Sequence, residues 1–175
     1  LAVFDVQELP THGGSLRVFA QRSDASTPRP TEPAVAALLA REVQAGVCSA
    51  DFYSDFQLQA LRIKRELLSF LIDAQARGRK VAAYGAAAKG NTLLNYAGVK
   101  PDLLAWVADA NPHKQGKFLP GSRIPIVAPA QIDIEKPDYV LVLPWNLLHE
   151  VSQQLAQVRQ WDGRFVIAVP ELSVL

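Results

Sequence analysis

A chain of 175 residues, 49% hydrophobic and 20% charged, has the size and balance of one ordinary globular domain. A formal net charge of +1 excludes a strong electrostatic footprint for nucleic acid or an acidic membrane. Cys48 is the single cysteine, which excludes an internal disulfide and a thiolate metal cluster and fits a reducing cytoplasm.

The first residues, Leu1 to Val6, already read as a strand. No charged and apolar leader precedes them, so they are not a signal peptide. No apolar run approaches the ~20 residues of a membrane span. With no methionine anywhere, the expectation is a chain that begins inside a larger protein. Residues 1–9 and 15–22 are β-rich and joined by Pro10-Thr11-His12-Gly13-Gly14, which predicts an antiparallel hairpin. A two-stranded hairpin is marginal alone, so 1–22 is expected to be the tail of an upstream domain.

Residues 23–33 carry three prolines among small polar residues and read as a linker. The following domain is expected over 34–175, with two leading helices. Thr31 is placed to cap a helix over roughly 32–45, with Val35, Leu38, Leu39 and Val43 on one face and Gly46 at its end. Ser49 is placed to cap a longer helix over roughly 50–77, with Asp51 in its first turn. Its stripe of Phe52, Phe56, Ala60, Ile63, Leu67, Phe70 and Ala74 would cover a sheet. The same stripe leaves a homodimer open.

From Lys80 the pattern alternates strand and helix. Val81–Tyr84 is a strand, Lys89–Ala97 a helix, Leu103–Ala108 a strand and Ile124–Val127 a third. Tyr139–Leu143 is a strong strand, a helix follows over roughly 145–159, and Phe165–Val169 is the last strand. Short apolar strands separated by helices predict an α/β fold with a Rossmann-like, mainly parallel sheet flanked by helices.

The candidate chemistry sits at strand ends. In Tyr84-Gly85-Ala86-Ala87-Ala88-Lys89-Gly90-Asn91, Gly85 and Gly90 occupy the outer positions of a G-x-G-x-x-G turn and Ala87 replaces the middle glycine. Amides at a helix start attract anions, and Lys89 adds a positive charge there. Asp109 follows the second strand where dinucleotide folds place a ribose-binding acid. The same small residues also suit close packing of a helix on a sheet. The loop from Asp109 to Lys117, with Asn111, His113 and Lys114, suits a phosphate or sugar or is simply solvated. Trp145 could stack on a ring and Asn146 could bond a polar substrate, or both could be helix-start chemistry. His12 sits on a Gly-rich loop beside Ser15 and could be an acid/base group, but the spacing identifies no carboxylate partner, and a lone loop histidine is usually just exposed. No His, Asp or Glu set has metal-ligand spacing, and no serine sits in a nucleophile elbow.

Six runs, taken in order, resemble the C-terminal domain of S-adenosylmethionine-dependent sugar C-methyltransferases. They are His12–Arg17, Tyr84–Asn95, Asp109–Gly116, Leu119–Gly121, Ile124–Ile126 and Leu143–Asn146. The resemblance extends from about Val3 to Pro170. It implies a three-part enzyme acting on nucleotide-linked keto-deoxysugars: a zinc domain, a methyltransferase domain in cis, and this Rossmann-like part. S-adenosylmethionine and the family's catalytic His/Glu/Tyr cluster would belong upstream, so the isolated chain is expected to be inactive. The His12 loop would lie near the cleft. The substrate-binding candidates are Gly85, Lys89, Asn91, Asp109, Asn111, Lys114, Trp145 and Asn146, with no metal and no cofactor bound by this chain. An NAD(P)-binding oxidoreductase fragment and a structural or dimerisation module remain the alternatives.

Overall fold

The computed structural model describes residues 1–11 and 14–175 and divides into two units, Leu1–Leu58 and Gln59–Leu175. In the first unit, β1 (Ala2–Leu9) and β2 (Ser15–Gln21) pair antiparallel, with Val6 opposite Val18 and a register shift between Val3 and Asp5. Phe4 and Phe19 meet across the pair at 6.1 Å, and the Arg29 guanidinium lies 5.1 Å from the Phe4 ring. The proline-rich segment is pinned at Arg29. Its N–H donates to Gln21 Oε1 (2.9 Å), and its carbonyl accepts from Gln21 Nε2 (3.1 Å).

Helix α1 (Pro33–Ala45) starts on a proline, whose fixed φ and missing N–H suit the first helical position. Thr31 is not its cap: Glu32 holds that position, makes no side-chain cap bond, and donates its N–H to Phe4 O at 2.7 Å. Gly46 ends the helix at φ 81°, as its position predicts. No residue of α1 is buried. The expected helix over 50–77 is interrupted. Asp51–Tyr53 forms a 3-10 turn, and α2 runs from Phe56 to Ala76. Ser49 does not cap it, because its hydroxyl donates back to Gly46 O at 2.8 Å.

The second unit takes most of α2 and all of a six-stranded sheet. Its strands are β3 (Val81–Tyr84), β4 (Val107–Ala108), β5 (Ile126–Val127), β6 (Tyr139–Val142), β7 (Arg164–Ile167) and β8 (Ser173–Val174). The order is β5-β4-β3-β6-β7-β8, parallel except for the antiparallel β7–β8 pair. The α/β reading with a mainly parallel sheet after a hairpin is therefore correct. Helices α3 (Ala88–Ala97), α4 (Ala130–Glu135) and α5 (Leu148–Gln154) connect the strands.

Successive strand residues enter opposite cores, as the two-residue period requires. Ala83 and Leu141 pack with Leu67, Leu71 and Leu94 on one face. Tyr84, Val140 and Val142 pack with Val151, Val158 and Phe165 on the other. The burial stripe of α2 therefore begins at Leu67, while Phe56 is 72% exposed.

Three expected elements are shorter than their apolar runs. The strand over Leu103–Ala108 contracts to Val107–Ala108, because Leu103 and Leu104 turn back to Lys100 O. The expected third strand contracts to Ile126–Val127. The helix over 145–159 divides into a 3-10 turn at Trp145–Leu147, then α5, then a second 3-10 run at Ala156–Trp161. Helix α4 and strand β8, six and two residues long, are additions to the expected elements.

The strand order creates a switch point. From β3 the chain winds outward through β4 and β5, then returns to place β6 on the other side of β3. Ligands of open α/β sheets bind outside the carboxyl ends of the two strands flanking such a reversal.

Candidate functional site

The loops that meet at this switch point are the glycine turn after β3 and Leu143-Pro144-Trp145-Asn146 after β6. Both glycines of the turn are explained by packing. Gly85 has φ +91°, and a Cβ there would lie 2.5 Å from Pro144 Cδ and 2.8 Å from Pro144 Cγ. A Cβ on Gly90 would lie 2.5 Å from Leu143 Cβ. The turn and the first turn of α3 thus sit directly on the end of β6. Gly85 stands at the first position of the motif, which serves the tight turn, while Ala87 holds the middle position where a glycine admits a pyrophosphate.

Asp109 is held by the same turn. Its side chain is buried, and its residue is only 7% exposed. Oδ2 accepts from Ala86 N–H at 2.7 Å and from Lys114 Nζ at 3.1 Å, while Oδ1 accepts from Asn111 N–H at 2.8 Å. Lys114 also donates to Ala86 O at 2.9 Å. Gln115 Nε2 donates to Asp109 O at 2.9 Å. The carboxylate therefore clamps the glycine turn to the loop after β4, and its oxygens face protein donors.

A third feature faces outward. Lys89, in the first turn of α3, donates to Asn146 Oδ1 and lies 4.6 Å from the centre of the Trp145 ring. Three residues singled out from the sequence thus form one cluster that spans the switch point. Helix α3 has no side-chain cap at its start; Ala87 holds the cap position, and the first helical bond runs from Asn91 N–H to Ala87 O. The preceding amides are engaged within the protein, Ala86 N–H by Asp109 and Ala87 N–H by Gly85 O.

The other candidates separate. Asn91 accepts from Asn95 Nδ2 at 3.2 Å; the same amide reaches Pro120 O at 2.9 Å and so ties α3 to the Leu119–Gly121 turn. Asn111 is exposed and accepts from His113 N–H at 3.0 Å, a local turn bond. Ser15, in the first unit, donates to Thr11 O at 2.9 Å. His12 lies outside the described residues. Asn95 and Gln115 also organise the site; both lie within runs that carry the family resemblance, but neither is among the candidate binding residues. Tyr84 donates to Gln154 Oε1 at 3.1 Å. Burial raises its phenol pKa and the nearby Asp109 charge adds to the rise, while the Gln154 bond opposes it, so the phenol stays a protonated donor. Among the described residues, no group of three or more His, Cys, Asp or Glu could hold a metal ion, and no helix is long and apolar enough to cross a membrane.

Residues 10–170 match the C-methyltransferase C-terminal domain family. The chain belongs to that family. It is also 37% identical over all 175 residues to the C-methyltransferase NovU of Streptomyces niveus, and it spans 41% of that protein's length. The stretch matched to the C-methyltransferase C-terminal domain runs from the hairpin turn through β7, so it takes in the whole switch point. A Rossmann-like sheet in such a domain does not by itself imply a nicotinamide reaction.

Proposed function

We propose that this chain is the substrate-holding domain of an S-adenosylmethionine-dependent C-methyltransferase that acts on a nucleotide-linked keto-deoxysugar. The observation that carries the reading is the Lys89–Asn146–Trp145 cluster outside the carboxyl ends of β3 and β6. It combines a cation, an amide and a flat ring at the place where open α/β sheets bind ligands. Membership of the C-methyltransferase family supports the reaction class.

In this reading the division of labour is simple. A keto group acidifies the neighbouring sugar carbon, and a base removes its proton. The resulting enolate is stabilised by hydrogen-bond donors, and its carbon becomes methylated. The base and the methyl donor belong to a methyltransferase domain in cis, to which residues 1–22 form the tail. The present chain supplies binding and orientation. Lys89 neutralises phosphate charge, Asn91 and Asn146 bond phosphate or sugar oxygens, and Trp145 stacks. Asp109, Asn111 and Lys114 fix the shape of the turn that carries Lys89. The exposed single thiol of Cys48 is compatible with a reducing cytoplasm.

The test is calorimetry on the full-length enzyme with a nucleotide diphosphosugar. Lys89→Ala is expected to weaken binding about tenfold, the value of one charge-assisted contact. Unchanged affinity would remove Lys89 from the site. The oxidoreductase alternative predicts NADH fluorescence changes on titration, and none are expected with Ala87 at the middle position of the glycine turn.

A further inference from the structure

An apolar groove runs along the outer flank of α3, beside the switch point. It is lined by Ala60 and Ile63 of α2, Leu93 and Tyr96 of α3, and Trp145 and Val169 from the loops after β6 and β7. Its volume of about 350 Å³ lies within the range of small-ligand sites. Lys89 also lines it.

Each aromatic wall carries a cation. Lys89 Nζ lies 4.6 Å from the centre of the Trp145 ring, and Lys64 Nζ lies 5.3 Å from the centre of the Tyr96 ring. Neither ammonium is in an ion pair among the described residues. An ammonium over a ring face is held by a weak attraction that a fully charged anion readily displaces. The groove therefore combines flat apolar walls with two ammonium groups, each beside an aromatic wall residue and outside the ion pairs of the described residues. A free sugar would leave the apolar walls unfilled, and an apolar peptide would leave both charges without partners. A planar heterocycle joined to a diphosphate meets both demands.

We infer that this groove is the nucleobase subsite: the base of a nucleoside diphosphate inserts between Tyr96 and Trp145, while Lys89 and Lys64 take its phosphates. The inference rests on the proposed reading of the chain as a nucleotide-sugar holder, and it adds Tyr96 and Lys64 as residues that select the nucleotide part. Base stacking on an aromatic side chain is sequence-tolerant, so the walls set affinity for a ring more than they choose among rings.

The experiment is calorimetric titration of the full-length enzyme with thymidine diphosphate, uridine diphosphate, thymidine and inorganic pyrophosphate. Tyr96→Ala is expected to weaken both nucleoside diphosphates roughly tenfold, as loss of one stacked ring predicts, and to leave pyrophosphate within about twofold. Tyr96→Phe should retain wild-type affinity, and Lys64→Met should weaken the diphosphates but not thymidine. Equal affinity of wild type and Tyr96→Ala for both nucleotides would overturn the groove assignment, while a simultaneous loss with Lys89→Ala would leave the proposed function standing. Failure of the wild-type enzyme to bind any nucleotide would overturn both. A change in mass by light scattering for Tyr96→Ala, without a change in nucleotide affinity, would assign the groove to a protein partner and overturn the inference. Tyr96 is 41% exposed, so the variants are expected to fold, with thermal melting as the check.

Discussion

Gly85 and Pro144 are in direct contact across the switch point, with only 2.5 Å between an ideal Cβ on the glycine and Pro144 Cδ. Fifty-nine residues apart in the chain, they close the end of β3 onto the end of β6. Gly85→Ala must fit a methyl group into occupied space and hold φ at +91°, a region that L residues rarely adopt. Overpacking and backbone strain together should destabilise the protein by about 2–4 kcal/mol. Urea denaturation measures it. Pro144→Ala in the Gly85→Ala background should recover part of the loss, since it removes the ring that the new methyl group meets. No recovery would mean that the backbone angle alone accounts for the cost.

Asp109 tests whether a carboxylate at this position serves structure or ligand. Asp109→Ala leaves Ala86 N–H without its acceptor and Lys114 without its counter-charge. The expected loss is about 2–3 kcal/mol in denaturant unfolding. Lys114→Met should cost less, about 1 kcal/mol, because Lys114 is partly exposed and Asp109 keeps two backbone donors. A ligand-facing carboxylate gives the opposite result, with stability unchanged or raised on removal.

Asp138 gives the chain an acid-sensitive joint. Burial raises its pKa, but the Lys80 N–H at 2.7 Å and the Arg79 guanidinium at 2.8 Å outweigh burial and hold it below the usual carboxylate range. A carboxyl whose pKa is lower folded than unfolded stabilises the fold above its unfolded value, and that contribution is lost as pH falls through the folded value. Wild type should therefore exceed Asp138→Asn by about 1 kcal/mol at neutral pH, and the gap should close as pH falls below the ordinary carboxylate range. Because the side chain is 32% exposed, salt should also narrow the gap. A gap that persists in acid would assign the stabilisation to shape rather than charge.

The sheet was legible because β3 and β6 are short apolar runs with no polar interruption, the signature of strands buried on both faces. The two-residue strand β8 carries too little pattern to read. Helix starts were misplaced where a side chain had a competing partner: Ser49 bonds backward to Gly46, and Glu32 displaces Thr31. At the site, the residue types around Lys89 were readable, but the Lys89–Asn146 bond joins positions 57 apart and depends on which strands become neighbours. The glycine spacing resembles a phosphate cradle; only the placement of β6 next to β3 reveals that Pro144 packs against its first glycine. Asp109 stands at the motif position yet turns inward, because Ala86 N–H and Lys114 meet it there. Tyr96 has no motif, and its place in the groove follows from the packing of α3 beside α2.

Ser122 isolates the cost of one buried polar atom. It is 1% exposed, and its hydroxyl has no hydrogen-bond partner among the described residues. Its backbone is fixed independently, with the N–H donating to Pro120 O at 3.0 Å, so removing the hydroxyl leaves the turn's main-chain bond intact. A buried hydroxyl without a partner has lost its water and gained nothing in return. Ser122→Ala deletes that group at nearly constant volume and should raise stability by about 1 kcal/mol. Ser122→Val, which adds bulk at the same place, should lower it through overpacking. Denaturation midpoints of the two variants separate the effects. A loss for Ser122→Ala would mean that the hydroxyl holds a partner in solution, and a hydration site at Ser122 would then replace the unpaired group in this account.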